Sequence, residues 1–204
     1  MMARDLSRTA LLLLEYQVDV CAAGGKMVNQ DEAVLARFLD ARRTAGEALF
    51  ACRSGRLPGL HLLHVGNGFE PGYPELRDAR QSAFTQYMQM SGAFVRGEPG
   101  AAFVPEVEPA ADEAVLWKHT ISSFVGTDLP AWLNRRSIDT VVLAGVVTHY
   151  AVLSAAISAF DLGYRVLILE DACMSGDIAR HETALEILEP LVERLRTANW
   201  LAAR

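Results

Sequence analysis

Residues Ile138 to Ala172 read IDTVVLAGVVTHYAVLSAAISAFDLGYRVLILEDA, and this stretch decides the fold. An apolar run from Ile138 to Ala144 passes through Gly145 into a helical pattern that starts at His149 and is closed by Gly163. A second apolar run, Tyr164 to Ala172, follows at once. Strand, helix and strand in such close order form a crossover unit, which demands parallel strands. The strand-to-helix turn is where α/β proteins usually display a reactive side chain. Here it offers Ala151, a methyl group.

The same alternation extends outward. TALLLLE (9–15), GLHLLHV (59–65) and EAVLWK (113–118) read as further strands. A long helix is expected from Asn29 or Asp31 to just before Gly55, and a short one over TDLPAWLNRRS with Thr127 or Asp128 as its cap. IARHETALEILEPLVERL reads as a last long helix, and TANWLAA as an edge strand. The segment from Gly66 to Asp112 is rich in Gly, Pro and polar residues and is too long for a simple connection, which points to function. Strands that are apolar throughout imply cover on both faces. The expectation is a single α/β domain over residues 1–204, three-layered α/β/α and Rossmann-like, with a mostly parallel sheet of five to six strands.

Composition narrows the function. The chain has 204 residues, 51% hydrophobic and 22% charged, with a net charge of −6. That balance disfavours nucleic acid and anionic membranes as partners. The first apolar run stops at Glu15, too soon for a signal peptide or a membrane span. Cys21, Cys52 and Cys173 form no CxxC pair, which fits a reducing, cytoplasmic setting. VGNGFE (65–70) lacks the third glycine of a dinucleotide fingerprint, and no cofactor is expected.

Ligands of such sheets bind beyond the carboxyl ends of the strands. Strand ends therefore nominate Glu15, Lys118 and the Gly145–Ala151 turn. From the residues alone, Glu15 and Lys118 are equally well solvated strand-end charges or an acid–base pair.

LLLLEYQVD, WKHTISSF and VVLAGVVTHYAVLSAAISAFDLGYRVLILEDAC together resemble the isochorismatase-like, or cysteine hydrolase, superfamily. The resemblance runs along nearly the whole chain and is most specific from Lys118 to Cys173. It implies a general-base Asp where this chain has Glu15, a supporting Lys at Lys118, and a nucleophilic Cys where this chain has Ala151. Gln17 and Asp19 match the rest of the first motif. It also implies a cis peptide between Val146 and Val147, with backbone N–H groups, that of Ala151 included, facing an oxyanion. Glu for Asp keeps the acid; Ala for Cys removes the nucleophile. True isochorismatases in the superfamily also lack the Cys and resemble enzymes that protonate a vinyl ether with the acidic residue.

Gln17, His64, Trp117, Phe124 and Tyr150 are candidates for substrate contact, although ordinary packing is the stronger expectation for each aromatic side chain taken alone. His61 and His64 point to opposite faces of a strand, and the metal-binding Asp-x-His motif of the nicotinamidase branch is not reproduced, so no metal is expected. His119 and His149 flank functional positions, His181 reads as a helix-surface residue, and the three cysteines read as packing. The resulting expectation is a hydrolase of a small polar or carboxylated metabolite, working without a covalent intermediate on a vinyl ether or an activated C–N bond. An amide or ureide hydrolase whose Cys is replaced by Ala151, and a silent binding protein that keeps the pocket, are the alternatives. By analogy with the superfamily, a homo-oligomer (dimer or tetramer) is expected.

Overall fold

The computed structural model describes residues 5–76 and 82–203, so residues 77–81 of the long 66–112 segment lie outside the described residues. Its strands are β1 (Thr9–Leu14), β2 (His61–Asn67), β3 (Val115–Lys118), β4 (Thr140–Gly145), β5 (Arg165–Leu169) and β6 (Glu193–Leu195). Its α-helices are α1 (Val18–Cys21), α2 (Glu32–Arg53), α3 (Ala83–Ser91), α4 (Leu129–Arg135), α5 (Leu153–Asp161), α6 (Ile178–Leu188) and α7 (Thr197–Ala202). The strands form one sheet in the order β3-β2-β1-β4-β5-β6. Every pairing is parallel. The expected α/β class holds, with six strands and no antiparallel member in the sheet among the described residues.

β1 is buried at every position because both faces of the sheet are covered. Leu11 and Leu13 pack into one core with Phe38 of α2 and Trp200 of α7. Ala10, Leu12 and Leu14 face the other core, with Leu133 of α4, Ala155 of α5 and Leu188 of α6. The two-residue period of the strand makes this division, and the result is three layers. α2 starts where Asp31 accepts from the N–H groups of Ala33 and Val34, satisfying two donors that the first turn leaves unpaired. The strand order reverses between β1 and β4, and the crevice beyond their carboxyl ends is where such sheets take ligands.

Four expectations need correction. The last long helix, expected over 178–195, is really α6 followed by β6. α6 stops at Leu188, two residues before Pro190, which has no N–H to continue it. Glu193–Leu195 then joins β5, and the proposed edge strand TANWLAA is α7, anchored by the fully buried Trp200. β2 runs on to Asn67, two residues past the expected end. Finally, the helix expected from His149 begins as a π-helical turn, Thr148–Val152, before α5.

Candidate active site

Glu15 follows β1 with φ at +58°, a left-handed conformation that costs a non-glycine residue roughly 1–2 kcal/mol. Its N–H still donates to the Val65 carbonyl at 2.7 Å, so the chain turns away from the sheet only at this residue. Asn67 and Lys118, the last residues of β2 and β3, are partners in register. Register and alternation therefore set both side chains on one face at the same sheet end.

These three residues form a closed array. The Lys118 ammonium lies 2.5 Å from Glu15 Oε1, with 1% of its side chain exposed against 10% for Glu15. Asn67 Nδ2 donates to Glu15 Oε2 at 2.6 Å. Lys118 Nζ also reaches Asn67 Oδ1 (3.2 Å) and the carbonyls of Thr120 (2.5 Å) and Ile121 (3.0 Å). Three ammonium protons thus face four acceptors. Removing one partner of such a buried pair is costly, because it strands the other charge.

A frame behind the array holds Asn67. Gln17 Nε2 donates to the carbonyls of Asn67 (2.8 Å) and Ala101 (2.7 Å), and its Oε1 accepts from the Asn67 N–H at 2.7 Å. Asp19, 1% exposed, accepts from the N–H groups of Phe94 (2.7 Å) and Lys26 (3.2 Å). Phe94 is itself left-handed, at φ +60°, so the Asp19 carboxylate ties down a strained residue of the cavity wall.

After β4 the bond between Val146 and Val147 is cis. Thr148 N–H donates to the Met174 carbonyl at 3.1 Å, and its hydroxyl meets His181 Nδ1 at 2.8 Å. Ala151 N–H donates to the Val147 carbonyl at 3.0 Å. The Ala151 N–H, expected to face an oxyanion, is thus engaged by the carbonyl four residues back, at the residue before the π-helical turn. Ala151 is fully buried within the cavity wall.

The cavity has a volume of about 720 Å³. Glu15, Lys118, Val147, Tyr150 and Ala151 all line it, as do Asn67, His119 and His149. The Tyr150 ring meets those of Phe84 and His149 in tilted contacts, with centroids 5.3 and 4.4 Å away. Val146 is buried and does not line the cavity; nor do Gln17, His64, Trp117 and Phe124. The reasons differ. Trp117 precedes Lys118 on β3, so alternation sends it to the opposite face, where it meets Phe103 and Arg96. His64 lies three residues before Asn67 and faces away in the same manner, its Nε2 2.8 Å from Glu113. Phe124 packs in the α4–α6 core beside Tyr164. Gln17 works from behind, through Asn67.

Burial pushes the thiols of Cys21, Cys52 and Cys173 up to about 12, which leaves each a poor nucleophile near neutral pH. His149 is pushed down by burial and then by Arg180, and its Nδ1 lies 2.9 Å from Ser175 Oγ. His181, expected on a helix surface, is buried and pushed down as well. Hydrogen bonding from Arg53 draws the Glu113 carboxyl down to about 2. Among the described residues, no three His, Cys, Asp or Glu side chains come together as a metal site requires. No helix of the described residues is long and apolar enough to cross a membrane.

Asn67 and Arg180 are cavity residues that the sequence reading misses. Asn67 carried a signal, since it ends a strand exactly as Lys118 does, but the expected end of β2 at Val65 hid it.

A parallel sheet with a lined crevice at its reversal point, and a buried carboxylate–ammonium pair lining that crevice, defines an α/β protein with a candidate catalytic pocket. The model of the isochorismatase domain matches residues 9–199, and the chain belongs to the isochorismatase-like hydrolase family. It is 27% identical over 195 residues to nicotinamidase of Escherichia coli strain K12, covering 88% of this chain and 89% of that one. It is 36% identical over 127 residues to maleamate amidohydrolase of Pseudomonas putida, covering 62% and 58%. The 38% identity with the uncharacterized isochorismatase family protein YwoC of Bacillus subtilis extends over 99 residues, 48% of this chain and about half (52%) of that protein. The fold is that of an isochorismatase-like hydrolase from Alkaliphilus metalliredigens, with a TM-score of 0.78 at 24% identity, covering 96% of this chain and 98% of the other.

Proposed function

We propose that the protein hydrolyses an activated C–N bond, in a carboxamide or ureide, without a covalent intermediate. The observation that carries this reading is the buried Glu15–Lys118–Asn67 array lining one cavity with the methyl of Ala151. Both partners of Glu15 are donors, so the carboxylate is set to accept a proton rather than to give one. Glu15 takes a proton from water while the water oxygen bonds to the carbonyl carbon. The tetrahedral intermediate collapses, the C–N bond breaks, and the proton on Glu15 passes to the departing nitrogen. Lys118 orients Glu15 and balances its charge, since its own protons are already taken. A general base supplies roughly 10² to 10⁴ in rate.

The names of nicotinamidase and maleamate amidohydrolase favour C–N cleavage. Vinyl-ether protonation would need a proton on Glu15 at the outset, against its donor-only surroundings. Against a silent binding protein stands the left-handed Glu15, a strained position kept by an ionisable residue. The reading includes a single domain and a cytoplasmic homo-oligomer. The exposed Ile157, Phe160 and Ile187 on α5 and α6 support association, which light scattering tests.

The main test is ammonia release from a panel of amides and ureides by the wild type, Glu15→Gln and Ala151→Cys. The wild type should turn over, and Glu15→Gln should lose at least about 100-fold. Undiminished turnover by Glu15→Gln overturns the role of the base. An inactive wild type beside an active Ala151→Cys assigns a cysteine hydrolase with its nucleophile replaced.

A further inference from the structure

Resting on the hydrolase reading, we infer that the substrate is an uncharged compound with a bulky apolar body, and that only its scissile polar group meets Glu15, Asn67 and Lys118. This departs from the small polar or carboxylated metabolite expected from sequence. The cavity, at about 720 Å³, falls in the range of sites that take drug-sized ligands, roughly 300–1,000 Å³. Its wall is apolar, drawn from separate parts of the chain: Val28, Phe38 of α2, Phe69, Phe84 and Met88 of α3, and Phe94. A ligand as small and polar as nicotinamide would leave most of that wall facing water.

The wall is built rather than incidental. Phe94 holds a left-handed backbone, and its N–H is fixed by the buried Asp19 carboxylate at 2.7 Å. Much of the polar lining falls in two groups: Glu15, Asn67 and Lys118 cluster with one another, and Asn29, Ser82, Asp177 and Arg180 are exposed at the rim; Thr85, His119, Thr120 and His149 are half-buried between them.

Charge supports a neutral ligand. The Lys118 ammonium already serves four acceptors, and Arg180 Nε lies 3.7 Å from the Asp177 carboxylate. His119 Nδ1 lies 3.3 Å from the Gly68 carbonyl, as its donor tautomer requires. His149 is held toward its neutral form by burial. The buried Lys118 ammonium therefore has no proton to spare for a substrate carboxylate beside Glu15, and Arg180 stands exposed at the rim, away from that array.

The test is calorimetric binding to the wild-type protein. The probes are ω-phenylalkyl methyl ketones, from acetophenone to 5-phenylpentan-2-one, which have no C–N bond to cleave. The matching primary amides, from benzamide to 4-phenylbutanamide, are assayed in parallel for ammonia release. Each added methylene should tighten binding about 3- to 4-fold, or roughly 30- to 60-fold across the series. Phe84→Ala should weaken the longest ketone about 10-fold and leave acetophenone nearly unchanged, and the wild-type series decides the matter if that variant does not fold. Affinity that does not rise with length overturns the inference, as does 4-phenylbutanoate binding as tightly as the ketone of equal length. The two readings fail separately. Ketones that bind tighter with length while no amide is cleaved sustain the inference and remove the hydrolase reading. Cleavage of nicotinamide with a flat ketone series does the reverse.

Discussion

Replacing Glu15 by Gln, Lys118 by Met, and both together tests the buried array as a unit. The ammonium is 1% exposed and the carboxylate side chain 10%, so solvent does little to screen either. Breaking such a pair costs about 3–5 kcal/mol. Glu15→Gln belongs at the lower end, because Asn67 Oδ1 and the carbonyls of Thr120 and Ile121 still accept from Lys118. Lys118→Met belongs at the upper end, since it strands the carboxylate and removes the donor to both carbonyls. The double variant buries no charge and should cost no more than the larger single loss. The coupling energy should therefore be about 3 kcal/mol in favour of the double variant, where independent sites would add. Urea denaturation of the four proteins measures it, and a cost in the double variant equal to the sum of the singles refutes the reasoning. All three variants should also lose turnover, because Lys118 acts through Glu15.

Further outcomes follow from the same structure. His64, His149 and His181 each hold folded values below the ordinary imidazole value through burial, so between those values and about 6.5 the unfolded chain binds more protons. Stability should be full above about pH 6.5 and should fall as pH drops; a melting temperature flat from pH 7.5 to 5 contradicts this. Gln17→Ala removes three hydrogen bonds to backbone groups and should cost about 1–3 kcal/mol. It should lower kcat more than it raises KM, because Asn67 loses its support; unchanged kcat would leave Gln17 purely structural. At pH 7.4 the three native thiols should resist iodoacetamide until urea is added, since burial holds each at about 12. Prompt alkylation of Cys21 or Cys173 in the folded protein would refute this, while Cys52, half-buried, should be the first to react as urea is added.

The sheet was legible because its strands obey one rule, being apolar on both faces, and that rule needs no knowledge of neighbours. Glu15 and Lys118 were legible for a related reason: charges directly after such runs must lie at the sheet's ligand end. The C-terminus was not. β6 is three residues of ERL, with no alternation long enough to read, and it is a strand because β5 offers an open edge. Helical spacing carried across Pro190 conceals that break. The π-turn at Thr148–Val152 is likewise invisible in a sequence that reads as continuous helix.

Contact across the chain explains the remaining differences. Gln17 meets groups 50 and 84 residues away, so its work as a clamp on Asn67 has no local signature. Alternation, by contrast, sorts the strand residues once the ends are correct. Counting back from Lys118 sends Trp117 to the far face, and counting back from Asn67 sends His64 there. An error of two residues at the end of β2 thus exchanges a cavity amide for a buried imidazole. The chemistry of the site depends on that exchange. With Asn67 in place, both oxygens of the Glu15 carboxylate face donors, Lys118 at Oε1 and Asn67 at Oε2, and it is this surrounding on which the proposed base role of Glu15 rests.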